Sequence, residues 1–418
     1  MDKMIIHGGE RLVGEVEIGG AKNAALPLFM AALLTDEPVK LHNVPFLRDV
    51  DTVEKLLTNM GITVTRHGND AEVHAKDLQT IEAPYDLVRT MRASILVMGP
   101  LIARAHEAKV SLPGGCAIGT RPINLHLDGF QALGAEIDLE HGYVHAKAEK
   151  LRGTTIDLPI PTVTGTENLM MAAALAEGTT IIENAAREPE VEELGNCLNQ
   201  MGAKISGLGT KTLTIEGVPS LHGTEYTIMP DRVEAATYMV AAGMTQGNLL
   251  LKGARPEHLT AVVDKLREAG MEIKTENGGL RCLLIGPIKS VDAKTLPYPG
   301  FPTDVQAQLM AMMCFANGLS VISESVFENR FMHVSELKRM GADIQVEGHS
   351  AIIRGKDGLS GAPVMATDLR ASASLVLAGL AAHGTTVISR IYHLDRGYER
   401  MEEKLRAVGA KIERIKAS

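Results

Sequence analysis

The chain has 418 residues, with 42 Lys and Arg against 51 Asp and Glu, a formal charge of −9, 45% hydrophobic and 22% charged residues; this excludes a disordered or collagen-like chain and suggests roughly two to three domains. With 7 Phe, 7 Tyr and no Trp, a negative chain so poor in stacking rings is a poor candidate for a nucleic-acid platform, so any basic site must be focused locally. Cys116, Cys197, Cys282 and Cys314 are too scattered for a disulfide framework, the N-terminus lacks an apolar signal region, and the longest apolar stretch, Ala24 to Leu34, contains Pro27; a cytoplasmic protein without membrane insertion is expected.

Along the chain, an alternating N-terminal region up to about Ala21 is followed by an almost wholly apolar helix from Lys22, then by an amphipathic helix that ends in a turn at Gly61. The pattern then repeats. Apolar helices enter at Lys22, Arg92, Thr166, Arg232, Asp304 and Arg370, and amphipathic helices close at Gly61, Gly134, Gly202, Gly270, Gly341 and Gly409. The glycine intervals are 73, 68, 68, 71 and 68 residues, so two markers in step define six units. A helix with no polar face must be buried on every side, whereas one with a polar flank faces water. Strands such as Thr180–Glu183 and Thr386–Ser389 are β-branched and partly alternating, as expected of a sheet with one covered face. Each unit is therefore an α/β layer around its own inner helix. Units of this size are marginal alone, so the expectation is two domains of three units each: residues 22–229, and residues 1–21 together with 230–418.

Five inner helices open on a charged residue, Lys22, Arg92, Arg232, Asp304 or Arg370, while Thr166 and Glu167 take that place in the sixth. A helix N-terminus already carries about half a positive charge, so an added cation is best explained by an anion opposite it. A local salt bridge or a snorkelling side chain is the alternative. The segment Leu112 to Pro122 carries three glycines, two prolines and Cys116. It reads as an exposed loop whose thiol, with Arg121 nearby, can act as a proton donor or nucleophile. The other three cysteines fall on apolar segments and read as buried fillers.

The runs GGAKNAALPL, DLVRTMRAS, LPGGCAIGTRPINLH, AEGTTIIENAAREPE, FPTDVQAQ, FENRFMHV, DLRASASLVLAG and DRGYERMEEKL closely resemble the UDP-N-acetylglucosamine 1-carboxyvinyltransferases of the enolpyruvyl transferase family, over essentially the whole chain. The resemblance implies two inside-out, barrel-like α/β domains with the active site in the cleft between them. It implies transfer of the enolpyruvyl group of phosphoenolpyruvate to the 3-hydroxyl of UDP-N-acetylglucosamine, with release of phosphate, as the committed step of peptidoglycan synthesis. No metal or cofactor is implied, and the partners are these two anionic substrates.

By the same resemblance, Lys22 and Asn23 would contact phosphoenolpyruvate, and Arg121 and Arg396 would bind its phosphate, with Arg330 and Arg370 completing the cationic cradle. Arg92, the segment Arg121, Pro122, Ile123, Asn124 and Leu125, the turn Thr162, Val163, Thr164 and Gly165, and Val326 would hold the nucleotide-sugar. Asp304 would take the proton of the sugar hydroxyl, and Cys116 would protonate the enolpyruvyl methylene and be the target of the epoxide fosfomycin. Many relatives have an acidic residue where this chain has Asn124, which keeps hydrogen-bonding capacity but removes a charge. The sister transferase acting on shikimate 3-phosphate shares the architecture, and the PGGC and RPxxLH runs argue against it.

Overall fold

The computed structural model describes residues 2–112 and 123–416, so Cys116, Arg121 and Pro122 lie outside the described residues. The described chain falls into two compact units, residues 20–112 with 123–229, and residues 2–19 with 230–416. Each has its own hydrophobic core: one is built from residues between Ala21 and Met229, the other from residues between Met4 and Ile18 together with those from Val233 to Ile412.

The six repeats appear as six four-stranded sheets of one topology. In one, Glu82–Ala83 pairs in parallel with Glu107–Ser111, which pairs antiparallel with Tyr143–Lys147, itself antiparallel to Glu136–Glu140. The inner helix makes the crossover between the two parallel strands, and the amphipathic helix leads into the closing hairpin. The inner helices are buried as their composition requires: Gln306–Met313 at every residue, and Arg232–Met244 at every residue after Arg232. Arg48–Asn59 instead buries Asp49, Val50, Val53, Leu56 and Leu57, one stripe at helical spacing.

The glycines that mark the repeat have a conformational reason. Gly61, Gly134, Gly202, Gly270, Gly341 and Gly409 each stand two residues past an amphipathic helix with φ between +88° and +108°. In every case the next residue's N–H returns to a carbonyl five positions earlier, as Ile62 does to Leu57 at 3.0 Å. That is the left-handed helix stop in which a Cβ is disfavoured.

The N-terminal region serves two sheets. Lys3–His7 lies between Thr385–Ser389 and Lys411–Ile415, completing the last sheet of its unit. Val13–Glu17 pairs in parallel with Asn248–Lys252, and Thr224–Thr227 pairs in parallel with Val39–His42. In the other four sheets the parallel edge strand immediately precedes the inner helix and its partner follows it. At the two crossings between units these edge strands are exchanged.

Candidate active site

Within residues 20–229, three segments expected to meet the nucleotide-sugar converge on one buried hydrogen-bond chain. Arg92 opens the 3-10 turn Arg92–Val97, which runs into the helix Met98–Ala105. Asn124 and Leu125 open the helix Asn124–Ala132, with Ile123 at its N-cap. Val163, Thr164 and Gly165 open the inner helix Val163–Ala173, where the Thr162 hydroxyl accepts the Gly165 N–H at 3.3 Å.

Further along that helix, Asn168 is fully buried. Its Oδ1 accepts the Gly99 N–H at 2.7 Å, and its Nδ2 donates to the Ile95 carbonyl at 2.9 Å and to His126 Nδ1 at 3.0 Å. His126 Nε2 in turn lies 3.3 Å from Thr164 Oγ1. Burial, with the Arg92 charge adding to it, pushes the His126 pKa down to about 4, so the ring is neutral near pH 7.

Lys22 and Asn23 open the inner helix Lys22–Ala31, whose N-cap Ala21 supplies no side-chain acceptor. The Lys22 ammonium donates to Asp49 Oδ2 at 3.2 Å, with both groups buried. A local ion pair, one of the two readings open for a cation at such a position, is present here. Thr166 and Glu167, expected at a helix entry, instead stand inside the helix that begins at Val163. Glu167 is held well above the usual carboxylate range by burial, with Glu190 and Glu188 adding to the effect.

In the other unit, Asp304 sits in the 3-10 turn Thr303–Val305 ahead of Gln306–Met313. Arg330 Nη2 donates to Asp304 Oδ1 at 2.7 Å, and Arg370 donates to Oδ2 through Nε at 3.2 Å and Nη2 at 2.9 Å. Both guanidiniums are buried. Arg330 Nη1 also donates to the Thr303 hydroxyl at 2.8 Å, which donates to Glu324 Oε2 at 2.8 Å. Glu324 Oε1 accepts the Thr295 hydroxyl at 2.7 Å and the N–H groups of Val326 at 2.8 Å and Phe327 at 3.2 Å. Thus one buried carboxylate joins the Asp304 turn to the Val326 turn. Arg370 lies over the Tyr398 ring at 5.5 Å, and Tyr398, two residues past Arg396, accepts from Gln308 Nε2 at 3.2 Å. The same Gln308 nitrogen donates to the Asp304 carbonyl at 2.9 Å. Arg396 ends the 3-10 turn Ile391–Arg396, and its charge adds to burial in holding His393 below its ordinary value.

Two helix entries of this unit carry acidic caps, whereas the one at Pro302 has no side-chain cap. Asp231 and Asp368 cap Arg232–Met244 and Leu369–Ala381, each carboxylate accepting two backbone N–H groups. In residues 20–229 the entries at Ala21 and Met91 have no side-chain cap, and Thr162 offers a neutral hydroxyl. Helix entries without a side-chain cap beside Lys22 and Arg92 suit an anion.

Sequence reasoning left His126, Asn168, Glu324, Gln308 and Tyr398 without roles. Asn168 and Gln308 carried a usable signal, each being an amide inside an inner helix expected to be buried on every side. Cys197, Cys282 and Cys314 are buried and their thiols are pushed up to about 12 by that burial, as fillers are.

Residues 6–405 match a family model described as EPSP synthase (3-phosphoshikimate 1-carboxyvinyltransferase). A relative from Desulfosudis oleivorans named UDP-N-acetylglucosamine 1-carboxyvinyltransferase is 58% identical over 415 residues, 99% of this chain and 100% of its own length. One of the same name from Trichlorobacter lovleyi is 59% identical over 418 residues, 99% of either chain. Among solved structures, the enolpyruvyl transferase NikO from Streptomyces tendae superposes with a TM-score of 0.91 at 26% identity, over 100% of this chain and 99% of its own. EPSP synthase from Acinetobacter baumannii superposes with a TM-score of 0.77 at 19% identity over 100% of both chains, a likeness of fold. The chain belongs to the enolpyruvyl transferase family and, within it, to the UDP-N-acetylglucosamine 1-carboxyvinyltransferases.

Proposed function

We propose that the protein transfers the enolpyruvyl group of phosphoenolpyruvate to the 3-hydroxyl of UDP-N-acetylglucosamine and releases phosphate, in the cytoplasm, as the committed step of peptidoglycan synthesis. The observation that carries this reading is full-length identity of 58 to 59% to enzymes of that name. The geometry supplies a chemical rationale. An enol ether carbon becomes electrophilic only when its methylene is protonated, so the addition needs an acid at C3 and a base at the attacking hydroxyl. Cys116 gives its thiol proton to the methylene, the sugar oxygen bonds to C2, and Asp304 takes the hydroxyl proton. In the second step a methyl proton passes to the Cys116 thiolate and the C2–O bond to phosphate breaks, releasing phosphate and forming the enol ether of the sugar.

Asp304 has both oxygens engaged by Arg330 and Arg370. This arrangement stabilises its anion and aims it, and an incoming phosphate competes for the same guanidinium forks. Once a fork turns to the phosphate, an Asp304 oxygen is released to act as base. Lys22, Arg92 and the uncapped helix entries of residues 20–229 suit the carboxylate and diphosphate of the substrates.

The test is phosphate release from phosphoenolpyruvate with UDP-N-acetylglucosamine or shikimate 3-phosphate as acceptor. Release with the first and none with the second is expected. The reverse pattern would assign the chain to the sister reaction.

A further inference from the structure

We infer that His126 is a positioning residue that fixes the hydroxyl of Thr164 as an outward hydrogen-bond donor to the nucleotide-sugar, through an orientation chain that begins at the backbone of Ile95 and Gly99. The inference rests on the proposed function and on the family resemblance, which implies that the Val163–Gly165 turn holds that substrate.

The direction of every bond in the chain follows from its first member. The Gly99 N–H can only donate, so the Asn168 atom 2.7 Å away is its carbonyl oxygen. The amide nitrogen is then the atom 2.9 Å from the Ile95 carbonyl, which can only accept. These two backbone groups fix the amide orientation independently and agree. The second amide hydrogen points to His126 Nδ1 at 3.0 Å, so that nitrogen must carry the lone pair. A neutral imidazole with a bare Nδ1 holds its proton on Nε2, and the atom 3.3 Å beyond is Thr164 Oγ1. Thr164 accepts from the ring. Its own hydrogen is left to rotate away from the buried histidine.

Exposure runs the same way. Asn168 is fully buried, His126 is 3% exposed, and Thr164 is half-buried at the first turn of its helix. The hydroxyl therefore stands where the buried chain meets solvent, beside N–H groups of the first turn of Val163–Ala173. Had the ring been the Nδ1–H tautomer, Nε2 would accept the Thr164 hydrogen and turn an oxygen lone pair outward. An outward donor suits the diphosphate or a sugar oxygen, whereas an outward lone pair repels it.

The test combines kinetics with a tautomer measurement. In protein labelled at histidine, ring nitrogen and carbon shifts at pH 7 should report the Nε2–H form for His126; the Nδ1–H form or a protonated ring would overturn the inference without any variant. Thr164→Val should raise KM for UDP-N-acetylglucosamine roughly ten-fold, the loss of one charge-assisted hydrogen bond, with KM for phosphoenolpyruvate nearly unchanged. His126→Asn keeps an acceptor near Nδ1 and loses the Nε2 donor, so it should match Thr164→Val, and the double variant should be no worse. His126→Gln, which places an N–H near the Nε2 position, should restore most of the affinity.

If His126→Gln and His126→Asn are equally impaired, or their effects add to that of Thr164→Val, the histidine is packing and the inference fails. If Thr164→Val leaves KM unchanged in an enzyme that uses UDP-N-acetylglucosamine, the inference also fails while the proposed function stands. A wild-type enzyme that does not turn over that acceptor refutes the function itself.

Discussion

A cation at the entry of a buried helix adds like charge to the positive end of the helix dipole, and the entries answer this in different ways. At Arg232 and Arg370 the answer is internal, because Asp231 and Asp368 cap the same helices and Asp304 takes the Arg370 fork. Lys22 and Arg92 open helices whose N-caps carry no acceptor side chain. An anion does face the cation at Lys22 and at Arg370, and in each unit it is the protein's own, Asp49 beside Lys22 and Asp304 beside Arg370. Asp231 and Asp368 stand one and two residues before their arginines, so this much was legible; the Asp304 fork joins residues 66 apart and was not.

Arg370→Lys should test that fork, because an ammonium cannot make two parallel bonds to one carboxylate oxygen and a substrate phosphate. Steady-state kinetics should show kcat lowered by about 10² to 10³, the loss typical of one well-placed charge-stabilising donor, in a variant that still folds. An unchanged kcat would remove Arg370 from the proposed mechanism. Cysteine chemistry gives a second prediction at this level. Burial keeps Cys197, Cys282 and Cys314 protonated at neutral pH, their thiols pushed up to about 12. Incubation with fosfomycin should therefore add one adduct to the intact mass, and Cys116→Ser should abolish it. An adduct that survives in Cys116→Ser, or an unmodified and fully active wild type, would contradict the role given to Cys116.

Among helices and strands, legibility tracked how local the physical cause is. The six glycines were readable because a left-handed helix stop is a requirement of a few consecutive residues. The exchange of edge strands was not readable. Val13–Glu17 finds its parallel partner at Asn248–Lys252, and a five-residue strand carries no address for a partner that distant in sequence. The other exchanged strand, Thr224–Thr227, carries a titratable clamp. His42 donates through Nδ1 to Asp70 at 2.8 Å and through Nε2 to Glu225 at 2.7 Å, bridging three neighbouring strands of one sheet.

These bonds raise the His42 pKa above its ordinary value, the Asp70 bond being the largest cause and the Glu225 bond the next. A raised pKa in the folded state means that the clamp stabilises fully below the unfolded value of about 6.5 and is lost as pH rises through the folded value. His42→Gln should therefore destabilise the protein more at pH 5.5 than at pH 9. The groups are partly exposed, so the difference should stay within about 1 kcal/mol. Urea unfolding of both proteins at the two pH values measures it, and a pH-independent difference would show that the clamp is uncharged.

For the whole chain, the two crossings decide which pieces are self-sufficient. The three sheets of residues 20–229 use only strands from Val39–His42 through Thr224–Thr227, and the Ala21 N–H meets the Met229 carbonyl at 2.7 Å, so the ends of this unit lie together. A fragment of residues 20–229 contains every element of its own core and should fold alone. Residues 230–418 should not. Without Lys3–His7 the last sheet loses the strand between Thr385–Ser389 and Lys411–Ile415, and without Val13–Glu17 another sheet loses its parallel edge. Met4 and Ile6 are fully buried, and removing two such side chains costs about 2–5 kcal/mol each before the unpaired backbone groups are counted. That loss is comparable to the whole stability of a typical domain, about 5–15 kcal/mol. The remedy follows from the geometry, since the Asp231 N–H donates to the Gly19 carbonyl at 2.8 Å and a short glycine linker can join residue 19 to residue 230. Far-UV circular dichroism and cooperative urea unfolding should be seen for residues 20–229 and for the linked 1–19 and 230–418 chain, and be absent for 230–418 alone. Cooperative folding of 230–418 without the N-terminal strands would show that the exchanged and inserted strands are dispensable to the core they join.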